Sequence, residues 1–259
     1  MQVDGLYVEE RGNGAPILCI HGAGSSAVAW TSAIDDLARL GRVIAYDRRG
    51  CSRSERPEPY ERTSVAEHAA DAAAVLDALS AVPAVVIGRS YGGTVATELA
   101  RRHPGHVRAL VLLESDAPPE LAPAAGRWID ALAERLRAVA ERDGVDAVGE
   151  AVIDAVAGEG VWPQLPGPLR TTLTENGPAL LAELSGTWWP ETDAAGLAAI
   201  EQPVLLVAAD DSLPELREPM EVLAGVFPNA RLLRVAGGHL IEPAAPEILA
   251  FVDQAIARG

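Results

Sequence analysis

The apolar positions of this chain fall into two recurring kinds of segment. Short unbroken runs such as Ile17-Leu18-Cys19-Ile20, Val43-Ile44-Ala45-Tyr46, Val85-Val86-Ile87 and Val204-Leu205-Leu206-Val207 read as strands buried on both faces. Residues 109–113 and 232–235 read the same way. At the start, residues 3–9 and 17–20 read as two strands around the turn Gly12-Asn13-Gly14. Between the strands lie stretches with helical spacing, at residues 30–40 and ahead of His103-Pro104. Another opens with the capping-box pattern Ser64-x-x-Glu67 and carries Val65, Leu76 and Leu79. Residues 247–256, with Ile248, Val252 and Ile256 on one face, close the chain as a helix. Strands alternating with helices predict an α/β fold built on a largely parallel sheet with helices on both faces.

The alternation stops at residues 118–199. There Trp128, Leu132, Leu136 and Val139 recur at helical spacing, as do Val145, Val148, Val152 and Val156. Four of the five tryptophans fall in this stretch. It is expected to form a helical cap subdomain inserted into a core of residues 1–117 and 200–259. Trp128 reads as packing within the cap. Trp188 and Trp189, beside Pro190 in an expected loop, are candidates to line a pocket.

The candidate chemistry sits where predicted strands end. Gly88-Arg89-Ser90-Tyr91-Gly92 lies between a strand and a helix. That sharp turn exposes a serine hydroxyl, and the glycines let the backbone bend. Ser90 is therefore the candidate nucleophile. The backbone N–H of Tyr91, at the helix start, can face a developing oxyanion. The turn His21-Gly22-Ala23-Gly24 follows another strand and offers the N–H of Ala23 as second donor, with Gly22 as a substrate-contacting position. His21 reads as a structural ring held by loop backbone. His239, after Gly237-Gly238 beyond the last strand, is the better general base. A base histidine needs a carboxylate behind it. Two places can supply one: Asp210-Asp211 after the strand at 204–207, or Glu114 at the end of the strand at 109–113. Adjacent acids cannot both turn inward, and an isolated buried carboxylate needs partners.

Composition narrows the possibilities. The chain has 259 residues, 49% of them apolar, enough for one substantial core and a subdomain. The net charge is −16, and every basic residue other than histidine is arginine. That balance argues against nucleic acid or an anionic membrane surface as partner. No apolar run reaches membrane-spanning length, and no signal-peptide pattern opens the sequence, so cytoplasmic residence is expected. Cys19 and Cys51 supply neither a disulfide framework nor a zinc spacing. No metal or organic cofactor is expected, and the protein is expected to act as a monomer or homodimer on a small molecule.

These motifs resemble those of the α/β-hydrolases over residues 6–257. The likeness rests on His21-Gly22-Ala23-Gly24, on Asp47-Arg48-Arg49-Gly50-Cys51-Ser52-Arg53-Ser54, on Gly88-Arg89-Ser90-Tyr91-Gly92 and on Gly238-His239. The resemblance implies an eight-stranded, mostly parallel sheet with a helical cap after the sixth strand. It further implies Ser90 as nucleophile, His239 as base, and Ala23 and Tyr91 as oxyanion donors. The family usually draws its acid from the loop after the seventh strand, which points to Asp211. Members resembling the fungal zearalenone lactonases use a glutamate that maps onto Glu114. Ala208 departs from the glycine common in the acid loop, and Arg89 from the histidine frequent before the serine. The activity implied is hydrolysis of a carboxylic ester or lactone of a small-to-medium apolar substrate through an acyl-enzyme. Carbon–carbon bond hydrolysis or cofactor-free perhydrolysis could run on the same triad, and a non-catalytic ligand receptor could share the fold. Epoxide hydrolysis and dehalogenation match poorly, since they use aspartate where Ser90 stands.

Overall fold

In the computed structural model, which describes residues 1–258, eight strands form one sheet. They are β1 (Gln2–Val3), β2 (Leu6–Arg11), β3 (Pro16–Ile20), β4 (Arg42–Tyr46), β5 (Ala84–Arg89), β6 (Val107–Leu113), β7 (Val204–Ala209) and β8 (Ala230–Val235). Their order is β1-β2-β4-β3-β5-β6-β7-β8. β2 runs antiparallel to both neighbours, and every other pairing is parallel. The α/β architecture and the mostly parallel sheet are those that the alternating pattern predicts.

The central strands bury alternate residues on opposite faces. Leu18, Ile44, Val86, Leu110 and Leu206 point to one side, where they meet α2 (Val65–Ala78), α3 (Tyr91–Arg102) and α9 (Pro214–Ala224). Ile17, Val43, Val85, Val111 and Leu205 point to the other, against α1 (Ile34–Leu37) and α10 (Pro246–Ala257). Burial on both faces is why these strands carry no polar alternation. The capping box at Ser64 is formed in both directions with Glu67.

Two local expectations differ from the structure. The strand expected at residues 3–9 is broken, because Asp4 (φ 46°) and Gly5 (φ 78°) turn the chain back so that β1 pairs with β2. β2 and β3 flank a turn yet do not pair; β4 inserts between them. The helix expected at 30–40 is a 3-10 turn (Ala27–Trp30) followed by the single-turn α1, which together bury Trp30 and Leu37 completely.

Between β6 and β7 the chain runs through α4 (Pro123–Asp143), α5 (Val148–Ala157), α6 (Gly167–Glu175), α7 (Gly177–Leu184) and α8 (Ala194–Ala198). Leu132, Leu136, Val148, Val152, Leu173 and Leu180 form a separate small apolar cluster among these helices. No helix among the described residues is long and apolar enough to cross a membrane. Strand order reverses at β3, with β4 on one side and β5 on the other. Such a switch point opens a crevice at the carboxyl ends of the flanking strands. The loops after β3 and β5 carry Ala23 and Ser90.

Candidate active site

Ser90 sits between β5 and α3 with φ 50° and ψ −127°, a conformation that costs energy for a residue with a Cβ. The surroundings hold it there. Its N–H donates to the Leu113 carbonyl at 2.9 Å, and its carbonyl accepts from Gly93 at 2.8 Å. Glycine is required on both sides because the backbone closes on itself. A Cβ on Gly88 would come within 2.4 Å of the Gly92 carbonyl oxygen, and one on Gly92 within 2.3 Å of that of Ile20.

The N–H groups of Ala23 and Tyr91 donate no hydrogen bond among the described residues. The turn bearing Ala23 is shaped from outside. Arg48 donates from Nη2 to the Gly22 carbonyl (2.9 Å) and from Nε to that of His21 (3.2 Å). Glu183 of α7 accepts from the Gly24 N–H at 3.1 Å, and Asn176 donates to the Ser25 carbonyl at 2.8 Å. Arg48 and Glu183 also pair directly, at 2.7 Å, with both side chains fully buried. Burial works against the Arg48 charge, but the Glu183 carboxylate outweighs it and holds the guanidinium above its ordinary value. His21 is clamped between the Gly22 carbonyl at Nδ1 and the Arg48 N–H at Nε2. Its pKa falls to about 3, through burial first and the Arg48 charge second.

His239 follows β8 and is 5% exposed. Its Nδ1 lies 2.8 Å from Oε2 of Glu114, itself buried at the end of β6 with φ 42°. That carboxylate is fully engaged. Oε1 accepts from the Ala209 N–H at 2.8 Å, and Oε2 also accepts from the Ser212 hydroxyl at 2.7 Å. Three donors meet the cost of burying it. Asp211, the other candidate, is exposed, and its side chain makes no hydrogen bond among the described residues. Its neighbour Asp210 pairs with Arg234 at the surface. The structure thus sets Glu114, and not Asp211, behind His239: the last residue of β7 supplies an N–H and the loop after it a hydroxyl to the glutamate, instead of an acid.

Ser90, His239, Gly22 and Ala23 line one narrow cavity of about 80 Å³. Arg89 also lines it, and the opposite wall is apolar, with Val152, Ile153 and Val156 of α5 and Leu169 and Leu173 of α6. The Ser90 hydroxyl and Nε2 of His239 make no hydrogen bond among the described residues, which leaves both open to a ligand there.

The family described as the alpha/beta hydrolase fold matches residues 15–241. The chain belongs to that family. Over 253 residues, 94% of this chain and 91% of the relative, it is 31% identical to a protein of Azorhizobium caulinodans named provisionally as the carbamate hydrolase RutD. It is 42% identical to a 2-hydroxymuconate semialdehyde hydrolase of Pseudomonas sp. (strain CF600). That match spans 113 residues, 42% of this chain and 39% of the relative's length. Among solved structures, the thermophilic esterase of Thermogutta terrifontis superposes with a TM-score of 0.73 at 25% identity, covering 98% of this chain and 92% of its own. Est816, described as an N-acyl homoserine lactone degrading enzyme, superposes at 0.71 with 26% identity, covering 98% and 97%.

In this alpha/beta hydrolase Trp128 packs among the helices between β6 and β7. Contrary to the expectation from the sequence, neither Trp188 nor Trp189 lines the Ser90 cavity. Trp188 is 6% exposed, lies against the Tyr91 ring (centroids 4.2 Å apart) and donates from Nε1 to Asp116 at 2.8 Å. Trp189 packs at the edge of the main core and faces a groove beside Ser64 and Arg102. The main core, through the Tyr91 ring and the Asp116 carboxyl, satisfies both the apolar face and the N–H of the Trp188 indole. Burial raises the Asp116 carboxyl above its usual range, against the opposing effects of the Trp188 hydrogen bond and the His239 charge. The wall residues of α5 were visible only as a helical repeat, of which Val152 and Val156 form one face. Arg48 and Glu183, 135 positions apart, gave no local signal.

Proposed function

We propose that this protein is a serine hydrolase that cleaves a carboxylic ester or lactone through an acyl-enzyme, with Ser90 as nucleophile, His239 as base and Glu114 as the orienting acid. The observation that carries the reading is the Glu114–His239 hydrogen bond beside the cavity that His239 lines together with Ser90 and Ala23, whose N–H is unused, as is that of Tyr91 next to the serine. Glu114 fixes the proton of His239 on Nδ1, which leaves Nε2 free to accept one.

Ser90 Oγ adds to the carbonyl carbon while its proton passes to Nε2. The oxyanion takes hydrogen bonds from Ala23 and Tyr91, whose turns are rigid before substrate arrives. Collapse breaks the acyl–oxygen bond, and the alkoxide takes the proton from His239. In a lactone this alcohol stays tethered to the acyl group. Water then adds to the acyl carbon, giving a proton to His239, and collapse breaks the acyl–Oγ bond as His239 returns that proton to Ser90 Oγ, releasing the carboxylic acid. The cavity of about 80 Å³ is open on one side, so the reacting end of a substrate can seat beside Ser90 while the remainder extends outward.

A second reading, hydrolysis of a carbon–carbon bond, is favoured by the likeness to a 2-hydroxymuconate semialdehyde hydrolase. The products distinguish the two. Labelling by a fluorophosphonate probe tests both: Ser90 is expected to be labelled in folded protein and Ser90→Ala to be inert. Folded protein that never labels is instead a ligand receptor.

A further inference from the structure

Arg89 ends β5 immediately before Ser90 and lines the same cavity. Its Nη2 donates to the carbonyl of Ile241, two residues past His239, and among the described residues the guanidinium makes no other hydrogen bond. Nε is buried without a partner. The Trp30 ring lies 5.6 Å from the guanidinium carbon. The acid nearest in influence, Glu242, is exposed and accepts instead from the Ser32 hydroxyl and the Ala244 N–H. Other arginines close to the site have counter-charges: Arg48 pairs with Glu183, Arg49 with Asp71 and Arg53 with Asp47. Among the described residues Arg89 forms no ion pair.

Arg89 as a whole is half-buried, with its Nε shut off from water, and a guanidinium partly withdrawn from water without an anion carries a cost that an anion would offset. Burial lowers the Arg89 pKa to about 10, which still leaves it charged at neutral pH. Nη2 retains one further N–H and Nη1 retains two, so one from each can form the end-on fork that suits a carboxylate. Apolar walls such as Val152 and Leu173 strengthen any charge pair formed between them.

We propose that Arg89 binds a carboxylate carried by the substrate, so that the cavity takes a small ester or lactone with an apolar body and one anionic end. This rests on the hydrolase reading for the word substrate, though recognition of the anion can be measured without turnover. The net charge of −16 repels anions at long range, so a preference for an anionic ligand has to arise locally.

The test uses Ser90→Ala protein, which holds esters without cleaving them, and calorimetric titration at 0.15 M salt with monomethyl glutarate and dimethyl glutarate. The monoanion is expected to bind about 10- to 100-fold more tightly than the neutral diester. That ratio should fall to about one in Ser90→Ala/Arg89→Met and be partly kept in Ser90→Ala/Arg89→Lys. The ratio in the parent protein needs no Arg89 variant to fold. Equal binding, tighter binding of the diester, no detectable binding of either, or a ratio that survives Arg89→Met overturns the proposal. Fluorophosphonate labelling of the wild-type protein reports separately on the hydrolase reading, so either can fail alone.

Discussion

Replacing Glu114 by glutamine changes one oxygen to an amide nitrogen and leaves the volume of the site intact. The carboxylate now accepts from three donors: the Ala209 N–H, the Ser212 hydroxyl and Nδ1–H of His239. A glutamine has one acceptor oxygen. If that oxygen stays with Ala209, the NH2 faces Nδ1 of His239 and forces the ring's proton to Nε2, where it blocks proton transfer from Ser90. If the amide flips, its NH2 opposes the Ala209 N–H and two donors clash. The first outcome removes the productive tautomer; the second keeps it only by burying two opposed donors at Ala209, which favours the first. Loss of the right tautomer in a serine triad costs roughly 10³- to 10⁴-fold in kcat, about 4–5.5 kcal/mol of transition-state stabilisation. Thermal unfolding provides the control for folding, because a disrupted charged hydrogen bond also costs about 1.5–3 kcal/mol of stability. The assay is hydrolysis of p-nitrophenyl acetate together with the rate of fluorophosphonate labelling. Asp211→Asn, at an exposed side chain without a hydrogen bond among the described residues, should stay within about twofold of wild type by both measures. The reasoning is refuted if Glu114→Gln keeps more than about a tenth of wild-type kcat, or if Asp211→Asn suffers the larger loss.

Other parts of the structure make independent predictions. Glu183→Ala strands the buried Arg48 charge and should destabilise by about 3–5 kcal/mol. For a chain of this size that lowers Tm by about 6–10 °C in calorimetry, and a shift under about 2 °C would mean the pair is solvated. Acid should weaken the fold before the carboxylates titrate. Burial depresses the folded-state pKa of His21 to about 3 and that of His68 well below 6.5, so the unfolded chain binds more protons as pH falls through 6.5. Each histidine then removes about 1.4 kcal/mol per pH unit, and a Tm flat between pH 7 and 5 would contradict their neutral burial. Gly88→Ala should cost several kcal/mol or prevent folding, whereas Gly105→Ala, with nothing within 4 Å of the added methyl, should change stability by under about 0.5 kcal/mol; similar losses at both sites would reject the close backbone contact at the serine turn.

How much of this was legible before the structure follows from what each signal depends on. Ser90, Ala23 and His239 sit directly after strand-like runs, and a parallel sheet brings the carboxyl ends of its strands to one edge, so local pattern suffices to gather them. The acid is different. Glu114 and Asp211 both follow strands, and what separates them is backbone conformation and distant donors. At φ 42°, Glu114 turns under the sheet edge to meet an N–H and a hydroxyl contributed from residues 209 and 212. No periodicity encodes that. The tryptophans show the opposite weakness: aromatic residues beside a proline suggest a loop at a pocket, but burial of an indole is satisfied as well in the main core as beside a ligand, and Trp188 took the first course.

Arg89 combines both limits. Its position between a buried strand and Ser90 marks it from the sequence as a polar group where an apolar one would be cheaper, and the structure adds no carboxylate to explain it. Arg48, equally improbable in a core, is answered 135 residues later by Glu183. A buried charge met by another buried charge is a structural tie, here between α7 and the turn of Ala23. A half-buried charge met only by a carbonyl, at the wall of a cavity beside a nucleophile, is an interaction left incomplete. Arg48 is fully buried and Arg89 half-buried, so the cost without a partner is greater for Arg48, but in both cases an anion offsets it, and the difference lies in where that anion comes from. For Arg48 it comes from the chain; for Arg89 the remaining source is whatever enters the cavity.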